Sequence, residues 1–251
     1  RSKASTNRWG RDSRNTTIRV KDEQLIFYIA VPGSGWAKLS LLLGCCAKLN
    51  LNKSDRSPDR EERGKQGDCG VIFHKGAYWD PQREFGDGFD DIGANYTKES
   101  FIEECLKPFN NINDQNYLIR SHFFAETKNL QWLTTNFPNN KIIFVLREVD
   151  LCYEGWTTGM TFTGHYPNYK AWMRLKTQDD HPYNYEKLKT LIRRHDIMIR
   201  EFVRDNDCYI IQPNKSFINK LGYVWDEEGK EEYMKLIMTH QFFKSEVPMF
   251  D

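Results

Sequence analysis

The chain has 251 residues, a length that suits one α/β domain with insertions or two small domains. Its 36 Lys and Arg residues balance 35 Asp and Glu residues, and the net charge of +1 argues against a nucleic-acid partner and against a polybasic membrane protein. No apolar segment approaches the ~20 residues of a membrane-spanning helix, and the polar, basic segment 1–24 has no apolar signal-peptide core. The sequence therefore predicts a cytoplasmic protein.

Alternating apolar and amphipathic segments predict one domain over residues 25–251, preceded by an arm at 1–24. Residues 25–31, Leu-Ile-Phe-Tyr-Ile-Ala-Val, are apolar throughout, which is typical of a strand buried on both faces. Strands that alternate with helices predict an α/β fold, a parallel sheet flanked by helices. Up to residue 97 the sequence predicts helix 36–49, solvated loop 50–68, and irregular structure or a hairpin at 69–97. Helices and strands then alternate: helix 98–107, strand 117–122, helix 125–137, strand 141–146 and a helix from about 149. A long insertion at 157–184 is followed by helix 185–204, strand 208–212, and helices 216–221 and 227–240.

A Gly-rich turn follows the first strand. Gly33 and Gly35 allow a tight turn and a close approach of backbone N–H groups to an anion, and the start of the following helix adds a partial positive charge. Ser34 offers a hydroxyl, and Lys38 would reach back to a phosphate. The ATP-binding pattern G-x-x-x-x-G-K-[ST] is not met, because Ala precedes Lys38 and Leu follows it. The alternative is a plain turn between a strand and a helix.

Two further strands end in polar side chains that suit the same cleft. Arg147 follows the strand at 141–146, and its planar guanidinium is suited to bidentate phosphate contact. The alternative is an ion pair of Arg147 with Glu148 or Asp150. Arg120 and His122 end the strand at 117–122, where a histidine is a candidate general base. The alternative for His122 is a purely structural role.

Three motifs in this order resemble the P-loop sulfotransferases, which use 3′-phosphoadenosine 5′-phosphosulfate (PAPS). That family has Pro-Lys-Ser-Gly-Thr-Thr after its first strand, where this chain has Pro-Gly-Ser-Gly-Trp-Ala at 32–37. The family's Lys-Thr-His or Lys-Ser-His corresponds to Arg-Ser-His at 120–122, and its P-N-A-K-I-I-Y-V-x-R corresponds to 138–147. The resemblance covers roughly residues 25–156 and, more loosely, 185–212. The Pro-Gly-Ser-x-Trp form of the loop is similar to that of phage-encoded sulfotransferase-like proteins.

The resemblance implies a P-loop-type three-layer fold with insertions and transfer of a sulfuryl group from PAPS to a hydroxyl or amine. The acceptor would be a small molecule or a carbohydrate, and the reaction needs no metal. His122 would be the general base, Lys38 would stabilise the phosphosulfate, and Arg120 would orient the sulfuryl group or bind an acidic acceptor. The implied cofactor-binding residues are Pro32, Gly33, Ser34, Gly35, Trp36, Ala37, Lys38, Arg147 and Thr157.

The chain departs from the family pattern at two phosphate contacts. Gly33 stands where the family has its loop lysine, so Lys38 would have to substitute. The family's 3′-phosphate serine is absent, because Glu154 or Gly155 falls at that position; Thr157 or the next residue, Thr158, would have to serve.

The family's Arg-Lys-Gly loop near the C-terminus, which also binds the 3′-phosphate, has no clear counterpart. An alternative function is therefore non-catalytic or divergent nucleotide binding, either by a degenerate sulfotransferase fold or by a kinase-like one. A kinase would need a Mg²⁺-binding Asp at a strand end, and none of the three strand ends clearly offers one.

Overall fold

The computed structural model describes residues 21–35, 39–40, 43–44, 49–54, 77–78, 91–158, 185–206 and 209–211. Within these residues five strands form one sheet in the order β2-β3-β1-β4-β5, and every neighbouring pair is parallel. The predicted α/β class is thus confirmed, with an all-parallel sheet and flanking helices. The strands are β1 (Leu25–Ala30), β2 (Ala77–Tyr78), β3 (Tyr117–Ser121), β4 (Ile142–Val145) and β5 (Tyr209–Ile211).

The helices begin and end where the local chemistry favours it. Thr97 caps the helix Lys98–Leu106 through a reciprocal box with Ser100, in which each side chain accepts a hydrogen bond from the other residue's backbone N–H. Pro138 follows the end of the helix Thr127–Asn136, and proline could not have continued that helix because it has no backbone N–H. The described α-helices are α1 (Ile92–Asn95), α2 (Lys98–Leu106), α3 (Thr127–Asn136), α4 (Val149–Thr158) and α5 (Tyr185–Asp205), and 3₁₀ turns span Asp22–Gln24 and Phe123–Ala125. Residues 39–40 and 43–44 are also helical.

One face of the sheet carries an aromatic core. Phe27 of β1 packs against the rings of Phe101, Phe124 and Phe137, with ring centroids 5.2–6.1 Å apart. Edge-to-face and tilted pairs of this kind stabilise beyond the area they bury. Because side chains alternate along a strand, Leu25 and the other odd-numbered residues of β1 share this face with Phe27. All five helices contribute buried residues to the same cluster.

The opposite face is also buried. Ile26 and Tyr28 of β1, Leu118 of β3 and Ile143 of β4 are 0–2% exposed. Burial on both faces explains why β1 is apolar from end to end, as parallel strands covered on both sides usually are.

The predicted solvated loop at 50–68 is exposed at Asn50 and Lys53, but the prediction is wrong for Leu51 and Asn52, which are buried. Asn52 is 3% exposed, and its side chain donates to the carbonyl oxygen of Asn111 at 2.6 Å. The same carboxamide accepts from the backbone N–H of Ser54 at 2.8 Å, and the Asn52 N–H donates to the carbonyl of Asn116 at 2.7 Å. These contacts join the segment to the approach to β3, and sequence spacing gives no sign of them.

The other predicted elements agree in type and differ at their ends. Helix 125–137 is shorter as α3, because the 3₁₀ turn precedes it. In the segment 69–97, β2 is a parallel edge strand on β3 rather than part of a hairpin, and α1 is helical. The predicted insertion at 157–184 begins later than expected, because residues 157–158 belong to α4. Residues 1–20 of the predicted arm, residues 159–184 of the insertion and the two closing helices predicted after 212 lie outside the described residues. Among the helices that are described, none is both long and apolar enough to cross a bilayer.

Candidate functional site

Strand order places a topological switch point at the carboxyl ends of β1 and β4. After β1 the chain moves to the β3 side of the sheet, and after β4 it moves to the β5 side. Ligands of open parallel sheets bind where neighbouring strands diverge in this way. Ala30 of β1 lies opposite Val145 of β4, so the two strand ends are level and the residues that follow them meet.

The Gly-rich segment is a tight turn that leads into a helix. The Ser34 N–H donates to the Val31 carbonyl at 3.2 Å, with Pro32 second and Gly33 third in the turn. Gly33 has φ +82°, which with proline before it defines a type II turn. Gly35 has φ +79°, and its carbonyl accepts from the Leu39 N–H at 3.4 Å, the spacing of a first helical turn.

Gly33 has a reason to be glycine beyond its dihedral angle. A Cβ at this position would overlap the carbonyl group of Cys152 in α4, with the carbonyl carbon only 2.7 Å away. The turn therefore lies backbone to backbone against α4, and no lysine fits there. This packing is a physical reason for glycine at the position where the resembled family has lysine.

Arg147 lies beside the turn, as expected if the two strands are neighbours. Its Nη1 donates to the Gly33 carbonyl oxygen at 3.3 Å, and its side chain is half-buried. A Cβ on Gly155 would lie 3.6 Å from this same nitrogen, so α4 approaches the guanidinium closely. Asp150, one of the acidic partners considered for Arg147, instead pairs with Lys189 of α5 at 2.9 Å.

His122 sits directly after β3 and is tied to β1. Its Nδ1 lies 2.5 Å from the Ala30 carbonyl oxygen, and the residue is 1% exposed. A carbonyl oxygen only accepts hydrogen bonds, so Nδ1 must carry the hydrogen. In the neutral ring Nε2 is then the basic nitrogen, as a general base requires.

Arg120 lies deeper in the sheet than the strand-end position that was predicted for it. It is 0% exposed within β3, and its register partner is Tyr28 on the central strand. Burial raises the pKa of the Tyr28 phenol well above its usual value, and the positive charge of Arg120 partly opposes this. Arg120 is therefore a buried charge one row below the edge where His122 and the turn meet.

Ser34 presents a buried hydroxyl. The residue is 0% exposed, and its Oγ has no hydrogen-bond partner among the described residues. Buried hydroxyls are normally satisfied, so this one calls for a ligand, a water or a contact from elsewhere. It lies in the turn between two glycines of positive φ, a backbone arrangement that is typical of anion-binding turns.

The remaining predicted site residues are only partly brought together. Thr157 is half-buried in α4 and donates from its Oγ1 to the Tyr153 carbonyl at 2.9 Å, so its hydroxyl hydrogen is used within the helix. Thr158 is helical. The predicted contacts at 36–38, Lys38 among them, lie outside the described residues. Within the described part of the chain, no group of three His, Cys, Asp or Glu side chains is placed to hold a metal.

Sequence reasoning missed the role of α4 in shaping the site. The Cys152 carbonyl fixes Gly33, and burial raises the pKa of the Cys152 thiol to about 12, so the thiol stays neutral. Gly155 was the one available signal, because a glycine inside a helix often marks a close approach. Searches for relatives returned no protein-family model and no curated protein that matches the chain.

Proposed function

We propose that this chain is a sulfotransferase of the P-loop-type three-layer fold, transferring a sulfuryl group from PAPS to a hydroxyl or amine. One observation carries the proposal: three adjacent strand ends bring a glycine turn, Arg147 and His122 to one edge of the sheet. The sequence resemblance to PAPS-dependent enzymes supplies the identity of the cofactor, which the geometry alone does not.

In this proposal the turn binds the phosphosulfate. Backbone N–H groups of the turn and the Ser34 hydroxyl would donate to its oxygens. Arg147 would bind the 3′-phosphate, keeping one guanidinium nitrogen on the Gly33 carbonyl while the others contact the ligand.

His122 would act on the acceptor. Its Nε2 takes the proton of the acceptor's hydroxyl or amine while the acceptor's oxygen or nitrogen forms a bond to sulfur. The bond from sulfur to the bridging oxygen breaks at the same time, and 3′,5′-adenosine bisphosphate leaves. Such transfers depend on positioning the two oxygens in line and on stabilising charge at the leaving oxygen.

The experiment measures transfer of labelled sulfuryl from PAPS to a panel of phenols, amines and monosaccharides. His122→Asn keeps an amide N–H that can donate to the Ala30 carbonyl but removes the base. We expect turnover to fall by about 10²–10⁴-fold, with the affinity for 3′,5′-adenosine bisphosphate unchanged. Equal turnover in the two proteins would overturn the assignment of the base.

A second candidate is a non-catalytic nucleotide-binding protein. The packing of Gly33 on Cys152 favours it, because that packing excludes the lysine that stabilises the leaving group in the resembled family. Under this candidate the bisphosphate binds, and no acceptor or water receives label from PAPS in either protein.

A further inference from the structure

The turn that carries His122 is held by a buried amide that the proposed reaction does not use. Asn129 in the first turn of α3 is 0% exposed. Its Nδ2 donates to the Phe123 carbonyl oxygen at 3.1 Å, and its Oδ1 accepts from the Ile92 N–H at 3.0 Å. Phe123 directly follows His122, so the carboxamide links the start of α1 to the residue beside the candidate base.

Phe123 is fixed at both of its backbone polar groups. Its N–H donates to Ser121 Oγ at 3.0 Å, and its carbonyl accepts from Asn129. The α1 end of the link packs closely on α3, because a Cβ on Gly93 would be 2.8 Å from the indole Cδ1 of Trp132. Rotation of the backbone on either side of Phe123 would break one of these buried hydrogen bonds.

The same turn has a second support that does not depend on Asn129. Glu126, which follows the 3₁₀ turn, accepts from Arg194 of α5 at 2.9 Å and lies 3.0 Å from Nε2 of His195. These contacts tie the turn to α5 from the other side. Loss of the Asn129 link is thus expected to loosen the turn without unfolding the domain.

We propose that Asn129 is a positioning residue for His122. By holding the Phe123 carbonyl it keeps the imidazole Nδ1 on the Ala30 carbonyl, and so keeps Nε2 as the nitrogen that accepts a proton. The claim that Asn129 supports catalysis rests on the proposed function, but the claim that Asn129 sets the tautomer of His122 does not.

The test is NMR of ¹⁵N-labelled histidine side chains, with the His122 signals assigned by their loss in His122→Asn. Asn129→Asp keeps the shape and the Ile92 acceptor and replaces the donor to Phe123 with an acceptor oxygen. The matched control is Asn136→Asp, because Asn136 on the same helix also donates to a backbone carbonyl, that of Trp132, at 2.9 Å.

We expect the wild type and the control to show His122 as the Nδ1–H tautomer. In Asn129→Asp the ratio of Nδ1–H to Nε2–H should fall about fivefold, as loss of one net hydrogen bond would give. An unchanged His122 spectrum overturns the inference. If Asn129→Asp fails to fold, Ser121→Ala removes the side-chain acceptor of the Phe123 N–H and must shift the spectrum in the same direction.

The readout separates this inference from the proposed function. A shifted tautomer in a protein that binds no 3′,5′-adenosine bisphosphate supports positioning by Asn129 and counts against the sulfotransferase. Where turnover is present, kcat should fall in Asn129→Asp while KM stays constant. A fall in bisphosphate affinity with an unshifted His122 spectrum would contradict the inference.

Discussion

Replacing Gly33 with alanine adds one methyl group at the point where the turn meets α4. The new Cβ would overlap the carbonyl of Cys152, which is backbone and has no flexible end to move aside. The φ of +82° also places an L-residue in a disfavoured region. Gly35 provides a matched control, because its φ is +79° and no atom of the described residues lies within 4 Å of its Cβ.

The two substitutions separate the cost of the dihedral angle from the cost of packing. A non-glycine residue in the left-handed region costs about 1–2 kcal/mol, which is the expected loss of unfolding free energy for Gly35→Ala. Overpacking adds typically 1–3 kcal/mol. Gly33→Ala should therefore lose about 2–5 kcal/mol, the sum of both effects.

The assay is urea denaturation of the wild type and both variants, followed by circular dichroism. Gly33→Ala should shift the midpoint clearly further than Gly35→Ala, with similar slopes. Equal losses in the two variants would refute the backbone contact between the turn and α4. They would also remove the packing reason for the absence of the family's lysine.

Three further predictions concern α1 and α4. The hydrogen bond from Lys128 holds the pKa of Asp91 below its usual value, so Lys128→Gln should raise that pKa in an NMR titration, and an unmoved pKa would contradict the ion pair. The ion pair stabilises the folded chain fully above the unfolded pKa of ~3.9, and this stabilisation is lost as the pH falls through the lowered pKa of folded Asp91. Burial raises the pKa of Cys152 to about 12, so alkylation at pH 8 and peptide mapping should find this thiol labelled only in urea, and labelling of the folded chain would show it accessible. A side chain at Gly155 would have ordinary van der Waals room beside Arg147. Gly155→Ser adds a hydroxyl next to the proposed 3′-phosphate contact and should tighten 3′,5′-adenosine bisphosphate binding about tenfold, whereas unchanged binding would place the 3′-phosphate elsewhere.

Local chemistry was enough to predict the central elements. The apolar segment at 25–31 gives β1, and the helices predicted at 98–107 and 125–137 are present as α2 and α3 with ends that differ by at most two residues. The alternation of strands with helices predicted a parallel sheet, because each strand needs a crossover before its neighbour. These signals lie within a few residues of each other in the chain, where propensity and capping act directly.

The features that were missed depend on contacts between distant segments. Asn52 is buried because residues 111, 113 and 116 accept hydrogen bonds from it, and Gly33 is confined by a carbonyl more than a hundred positions away. The depth of Arg120 follows from its register with Tyr28, which no local pattern sets. Spacing in the sequence predicted that three strand ends share an edge but not which atoms meet there.

Calorimetric titration with 3′,5′-adenosine bisphosphate, run beside ATP with Mg²⁺, tests the central claim most directly. Three proteins are compared: the wild type, Arg147→Ala, and Arg204→Ala as a control whose exposed side chain pairs with its neighbour Asp205. We predict that the bisphosphate binds the wild type and the control equally and binds Arg147→Ala about 10–100-fold more weakly, with no response to ATP. Binding of ATP in place of the bisphosphate, or equal affinity in all three proteins, would contradict a PAPS site at this edge of the sheet.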